Sequence, residues 1–157
     1  MILTTDKIVV LFEVLGEVKM TKLRDSDKLL IIKILKKLKP IALNFEIYQK
    51  DAYERLKPRN WEEISTKLKQ WQSEGDEDTT LTIEEKRIIS KAMSHYEDSV
   101  KASIHDELDV EYNLNYTKLS DSAFEKLLGS NDWSAKTALF VSECIHEDEE
   151  YEEDQED

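Results

Sequence analysis

Three glycines and two prolines in 157 residues leave this chain very few places to turn sharply. Hairpins draw heavily on glycine and proline at fixed turn positions, so the composition argues against a many-stranded β sandwich and for long helices. Apolar content is modest at 39% and charged content high at 36%, which suits helices with broad solvated faces better than a thick multilayer core. The length fits one domain, or one domain with a helical appendage. The expected fold class is mainly α with a small β element.

Apolar spacing places the helices. Ile8, Leu11, Phe12, Leu15 and Val18 repeat at helical intervals, with Thr5 as the cap of a first helix over about 6–20. A second helix begins near Ser26-Asp27 and reads through Leu30, Ile31, Ile34, Leu35 and Leu38. Pro40 lacks a backbone donor and crowds the preceding turn, which predicts a kink or break there. The spacing resumes at Ile41, Phe45, Tyr48, Ala52 and Leu56. Residues 1–58 thus form an expected N-terminal helical hairpin.

Segment 59–80 reads as a linking helix and an acidic loop. Asn60-Trp61-Glu62-Glu63 has the form of a cap, Trp61, Ile64, Leu68 and Trp71 mark one stripe, and Gly75 ends the helix. Segment 81–146 reads as a compact helix-strand-helix part. Thr82-Ile83-Glu84-Glu85 is a capping box opening a helix through Ile89, Tyr96, Val100 and Ile104 to about Glu107. Then the period changes to two: Val110, Tyr112, Leu114 and Tyr116 alternate with polar residues as in a half-buried strand. A lone strand needs a partner for its backbone groups, and the candidates are Thr79 to Ile83 or the same strand of another copy. Ser120 caps a short helix with Phe124, Leu127 and Leu128, ending near Gly129, and a last helix starts at about Asn131. Residues 147–157 hold nine acids in eleven positions and are expected to be a disordered acidic tail.

Charge is sorted along the chain within a net of −13. Residues 1–60 carry 13 Lys and Arg against 8 Asp and Glu, residues 61–146 carry 9 against 18, and the last eleven carry none against 9. Such sorting speaks to partners and solubility, not to a fold. A single cysteine, Cys144, forms no internal disulfide and suits a reducing compartment. The N-terminus lacks the pattern of a signal peptide, and no apolar run approaches the roughly 18 residues of a membrane span. The expectation is a soluble cytoplasmic protein without a membrane partner.

Catalytic signatures are weak. His95 and His105, ten residues apart on one expected helix, point about 80° apart and lie about 15 Å apart along its axis, so they share no metal within it. His105 and Asp109 have i,i+4 spacing but no further ligand nearby. Cys144 beside an acidic stretch has its thiolate disfavoured and reads as structural. Gly16, Gly75 and Gly129 are isolated, so there is no glycine-rich phosphate loop. Glu62-Glu63 and Glu84-Glu85 sit where acids favour a helix dipole. The expectation is no enzyme, no cofactor and no metal.

Two features point to binding instead. Trp61 and Trp71, with the strand residues Val110, Tyr112, Leu114 and Tyr116, are candidate partner-binding residues. Lys28, Lys33, Lys36, Lys37 and Lys39 make a candidate basic face. Lysine rather than arginine dominates it and the whole molecule is acidic, which disfavours nucleic acid. A lysine-rich helix could also meet the acids of a second copy, giving a homo-oligomer that weakens with salt.

The order of pieces resembles a family of small uncharacterised proteins of tailed bacteriophages and prophages. The likeness rests on Thr5-Asp6-Lys7-Ile8, Phe12-Glu13-Val14-Leu15, the polar break before Leu29, the run Ile31 to Leu38, the continuation through Glu46, Tyr48 and Asp51, the segment Glu107 to Tyr112 and a closing apolar helix. Trp61 to Asp78 and the acidic end depart from it. The resemblance implies a phage-type accessory protein with no catalytic residues to carry over, acting in virion or tail assembly or in host takeover. Its partners would be phage structural proteins or itself, and its place the host cytoplasm or the virion. The alternative reading is an acidic, DNA-mimic-like inhibitor of a host nucleic-acid-binding or defence enzyme.

Overall fold

The computed structural model describes residues 1–148. In chain order it contains β1 (Ile2–Thr4), α1 (Thr5–Gly16), α2 (Asp25–Arg55), α3 (Trp61–Glu74), α4 (Ile83–Leu108), β2 (Glu111–Asn113), α5 (Asp121–Ser130) and α6 (Ala135–Ile145). The protein is mainly α with a small antiparallel sheet. No helix among the described residues is long and apolar enough to cross a membrane. The acidic stretch expected to be disordered lies, from residue 149 on, outside the described residues.

Two compact units emerge, one of Met1–Phe45 with the chain from Val110 onward, the other Glu46–Asp109. These limits differ from the sequence segments 1–58, 59–80 and 81–146, because α2 runs unbroken through the first division while β2 pairs with β1 rather than with its neighbour α4. In the first unit, Ile8, Leu11 and Leu15 of α1 share a core with Ile31, Ile34 and Leu38 of α2, and Leu119, Leu127, Val141 and Ile145 complete it. The second unit buries Ile64, Leu81 and Ile89, with Leu68, Trp71 and Met93 packed around them.

Of the kink or break expected at Pro40, the break does not occur, since α2 continues through it. Proline in a helix interior costs about 3 kcal/mol, but Ile34 and Leu38 before it and Ala42 and Phe45 after it are all buried. Burial on both sides outweighs the local penalty.

The strand is shorter than its alternation suggests, and its partner within the chain is the N-terminus rather than Thr79–Ile83. Glu111–Asn113 pairs with the N-terminus in the register Ile2↔Asn113, Leu3↔Tyr112 and Thr4↔Glu111. Thr5 N–H donates to the Val110 carbonyl at 2.9 Å, and Leu114 N–H to that of Met1 at 2.8 Å, extending the ladder at both ends. Thr79 to Ile83 does other work: Leu81 is buried, and the Thr82 hydroxyl accepts from Glu85 N–H at 3.1 Å to cap α4.

Caps follow the sequence with two shifts. Thr4, not Thr5, accepts from Lys7 N–H, because Thr5 is buried and its hydroxyl donates to the Val110 carbonyl at 3.2 Å. Asn60 makes no side-chain cap bond, its backbone at φ −98°, ψ 35° being away from the extended geometry that aims a capping oxygen. Ser120 and Ser134 cap α5 and α6, accepting from Ala123 and Thr137 N–H.

Candidate functional site

One face of α2 within the first unit stands out. At 100° per residue, Leu29, Ile32, Lys36 and Leu43 lie within about 60° of each other, opposite the buried Ile31, Ile34 and Leu38. Leu29 is 49% exposed, Ile32 and Leu43 40% each, so this ridge is an apolar surface in solvent. The five candidate lysines do not form one patch. Lys33 and Lys37 flank the ridge on one side and Lys28 and Lys39 on the other, with Lys36 on the crest. Lys28 pairs with Asp25 at 3.5 Å. Among the described residues Lys33, Lys36 and Lys37 have no carboxylate within ion-pair distance.

Those three lysines border a groove. Leu30, Lys33, Lys36 and Lys37 form one wall, Asn115, Tyr116 and Thr117 the other, around a volume of about 270 Å³. The Tyr116 hydroxyl donates to the Cys144 carbonyl at 2.7 Å, fixing that wall against the end of α6.

The other candidate residues are engaged inside their units. Half-buried Trp61 packs on Tyr96, ring centroids 5.1 Å apart, with the Lys57 ammonium 5.8 Å from its centroid. The indole N–H of Trp71 donates to Asp76 Oδ1 at 3.0 Å, and Lys86 sits 5.6 Å from its ring centroid. The hydrogen bonds from Trp71 and Lys86 hold the Asp76 carboxyl below its ordinary range, Lys86 first. Leu114 is buried, Tyr112 and Tyr116 pack against the core, and Val110 is exposed at 38%.

Sequence spacing missed one cluster. His146 stacks on Phe124, centroids 4.7 Å apart and planes 10° apart. Its Nε2 meets Asp121, while Nδ1 lies 3.0 Å from Ser142 Oγ and 3.3 Å from Asp148 Oδ1. Asp121, His146 and Asp148 bring three metal-type donor atoms within 4.8 Å of one another, with the two carboxylates on opposite ring nitrogens of the histidine. The arrangement is a clamp that ties the end of α6 to the start of α5, beside the parallel bridge Leu119↔His146. Nothing in the local sequence signals it, since Asp121 and His146 are 25 residues apart. His105 and Asp109 approach only to 3.8 Å, both fully in solvent reach, and His95 is exposed.

Cys144 is buried, and its thiol is pushed up to about 11, chiefly by burial, with Lys7 and Lys118 pulling down and Glu143 pushing up. Burial also lifts the Tyr116 phenol to about 12, with a further contribution from Cys144. Both groups hold in the fold a proton that the unfolded chain releases earlier. Their stabilisation is therefore complete below about pH 9 and is lost as pH rises toward 11 for the thiol and 12 for the phenol. Melting temperature should fall by several degrees between pH 9 and 11, with a shallower fall in Cys144→Ala when each protein is referred to its own value at pH 7. An equal slope in the variant would remove the thiol as a cause.

No protein-family model, no curated protein and no solved structure matches this chain.

Proposed function

We propose that this chain is a non-enzymatic accessory protein of the phage type that works by binding other proteins, in virion or tail assembly. The observation that carries the reading is the exposed ridge Leu29, Ile32 and Leu43 on a helix whose opposite face is buried. Exposed apolar side chains along one line of the helix, Leu29 with Ile32 and then Leu43 beyond Lys36, support a docking role, and the lysines among them favour a partner whose rim is acidic. The host cytoplasm or the particle is where such a protein would act. The alternative, an acidic inhibitor of a host nucleic-acid enzyme, rests on the acids of residues 147–157 rather than on this ridge.

The two readings separate in affinity capture from phage-infected lysate, using the native chain beside a Leu29→Asp/Ile32→Asp variant that melts at the same temperature. Retention of a phage structural protein, reduced about tenfold or more in the variant, is the expected outcome. Equal retention by both proteins overturns the assignment of the ridge. Recovery of a nuclease or polymerase in a complex that dissolves with salt and with removal of residues 147–157 moves the function to the inhibitor.

A further inference from the structure

The groove between α2 and the segment 115–117 has no acidic side chain in its lining. Lys33, Lys36 and Lys37 stand at i, i+3 and i+4, so three ammonium groups share one turn above the apolar Leu30 and the half-buried ring of Tyr116. A ligand complementary to these walls carries several carboxylates and at least one side chain able to lie on an apolar floor. An acidic peptide with an aromatic residue has this chemistry, and a bare polyanion has only half of it.

The chain contains such a peptide. Residues 149–157 read Glu-Glu-Tyr-Glu-Glu-Asp-Gln-Glu-Asp, with seven carboxylates around Tyr151. Its root is tied to the groove wall itself. Leu119 N–H donates to the Ile145 carbonyl at 2.7 Å, Glu147 N–H returns to the Leu119 carbonyl at 3.0 Å, and Tyr116 holds the Cys144 carbonyl. From Asp148, nine residues reach about 30 Å when extended, ample to fold back along segment 119–115 to the lysines. Tethering keeps the local concentration of those acids high, so individually weak ion pairs act together.

We propose that the acidic segment 149–157 docks in cis in the groove of Lys33, Lys36, Lys37, Leu30 and Tyr116. This inference stands apart from the accessory-protein reading, because it is measured on the isolated chain.

Zero-length carbodiimide cross-linking tests it, since that reagent joins only a carboxylate and an ammonium in direct contact. In an equal mixture of unlabelled and ¹⁵N-labelled full-length chain at low salt, links from 149–157 should fall on Lys33, Lys36 and Lys37 about tenfold more often than on exposed Lys19 or Lys136. The links should join residues of one isotopic kind and fade at about 0.5 M salt. Asn115→Glu/Thr117→Glu keeps every lysine but adds repulsion on the facing wall, and should cut the yield about fivefold at unchanged melting temperature. Links spread evenly over surface lysines overturn the proposal. Links of mixed isotopic kind replace cis docking by docking between copies, and a yield indifferent to the two added glutamates removes the groove as the site.

Discussion

Replacing Pro40 by alanine should raise the stability of this protein by about 2–3 kcal/mol, which for a chain of this size is about 4–12 °C in melting temperature. The size follows from where the proline sits. It lies deep inside the 31-residue α2, on the exposed side, with helix on both flanks. There it withholds the N–H that the Lys36 carbonyl would otherwise accept, and its ring crowds the turn before it. Alanine supplies the donor, has the best helix propensity, and places only a methyl group in solvent. Thermal unfolding of the two proteins side by side decides it. An unchanged or lower melting temperature in Pro40→Ala would mean that a bend at Pro40 is itself used by the packing of Ile34, Leu38, Ala42 and Phe45.

Pro40 also shows what a sequence can and cannot disclose. The local rule for proline competes with burial on both sides, and burial depends on contacts from distant parts of the chain. Long helices with a strong period were legible: α1, α2 and α4 all appear where Ile8 to Leu15, Leu30 to Leu38 and Ile89 to Ile104 place them. So was the Thr82 to Glu85 capping box, whose two halves are three residues apart. The alternation around Tyr112 announced a strand, yet its partner stayed hidden, because Ile2–Thr4 is only three residues long and offers no period to detect. The His146 clamp was invisible for the same reason at longer range, its members meeting only after Leu119 and His146 are paired. The lysines of α2 were recognised by type. That they divide around an apolar ridge, three of them beside a groove, depends on which helix face is buried and on where segment 115–117 passes.

Truncating Ile34 to alanine should destabilise the protein by about 2–5 kcal/mol, whereas the same truncation at Ile32, two residues earlier, should stay within about 0.5 kcal/mol. Ile34 is fully buried in the core shared by α1, α2 and the returning chain, so its loss opens a cavity among well-packed neighbours. Ile32 is 40% exposed and belongs to the ridge. Chemical denaturation of both variants reads the difference directly, and comparable losses at the two positions would show that the ridge is not a free surface. The pair also separates fold from function. If the ridge docks a partner, Ile32→Asp should weaken binding several-fold while leaving the melting transition in place, and Ile34→Ala should retain binding at temperatures where it is still folded. Loss of binding in Ile34→Ala alone, with Ile32→Asp unaffected, would move the docking surface away from α2. The same helix thus presents two different surfaces about 160° apart on its circumference at these two residues, one buried in the core of the first unit and the other exposed to solvent.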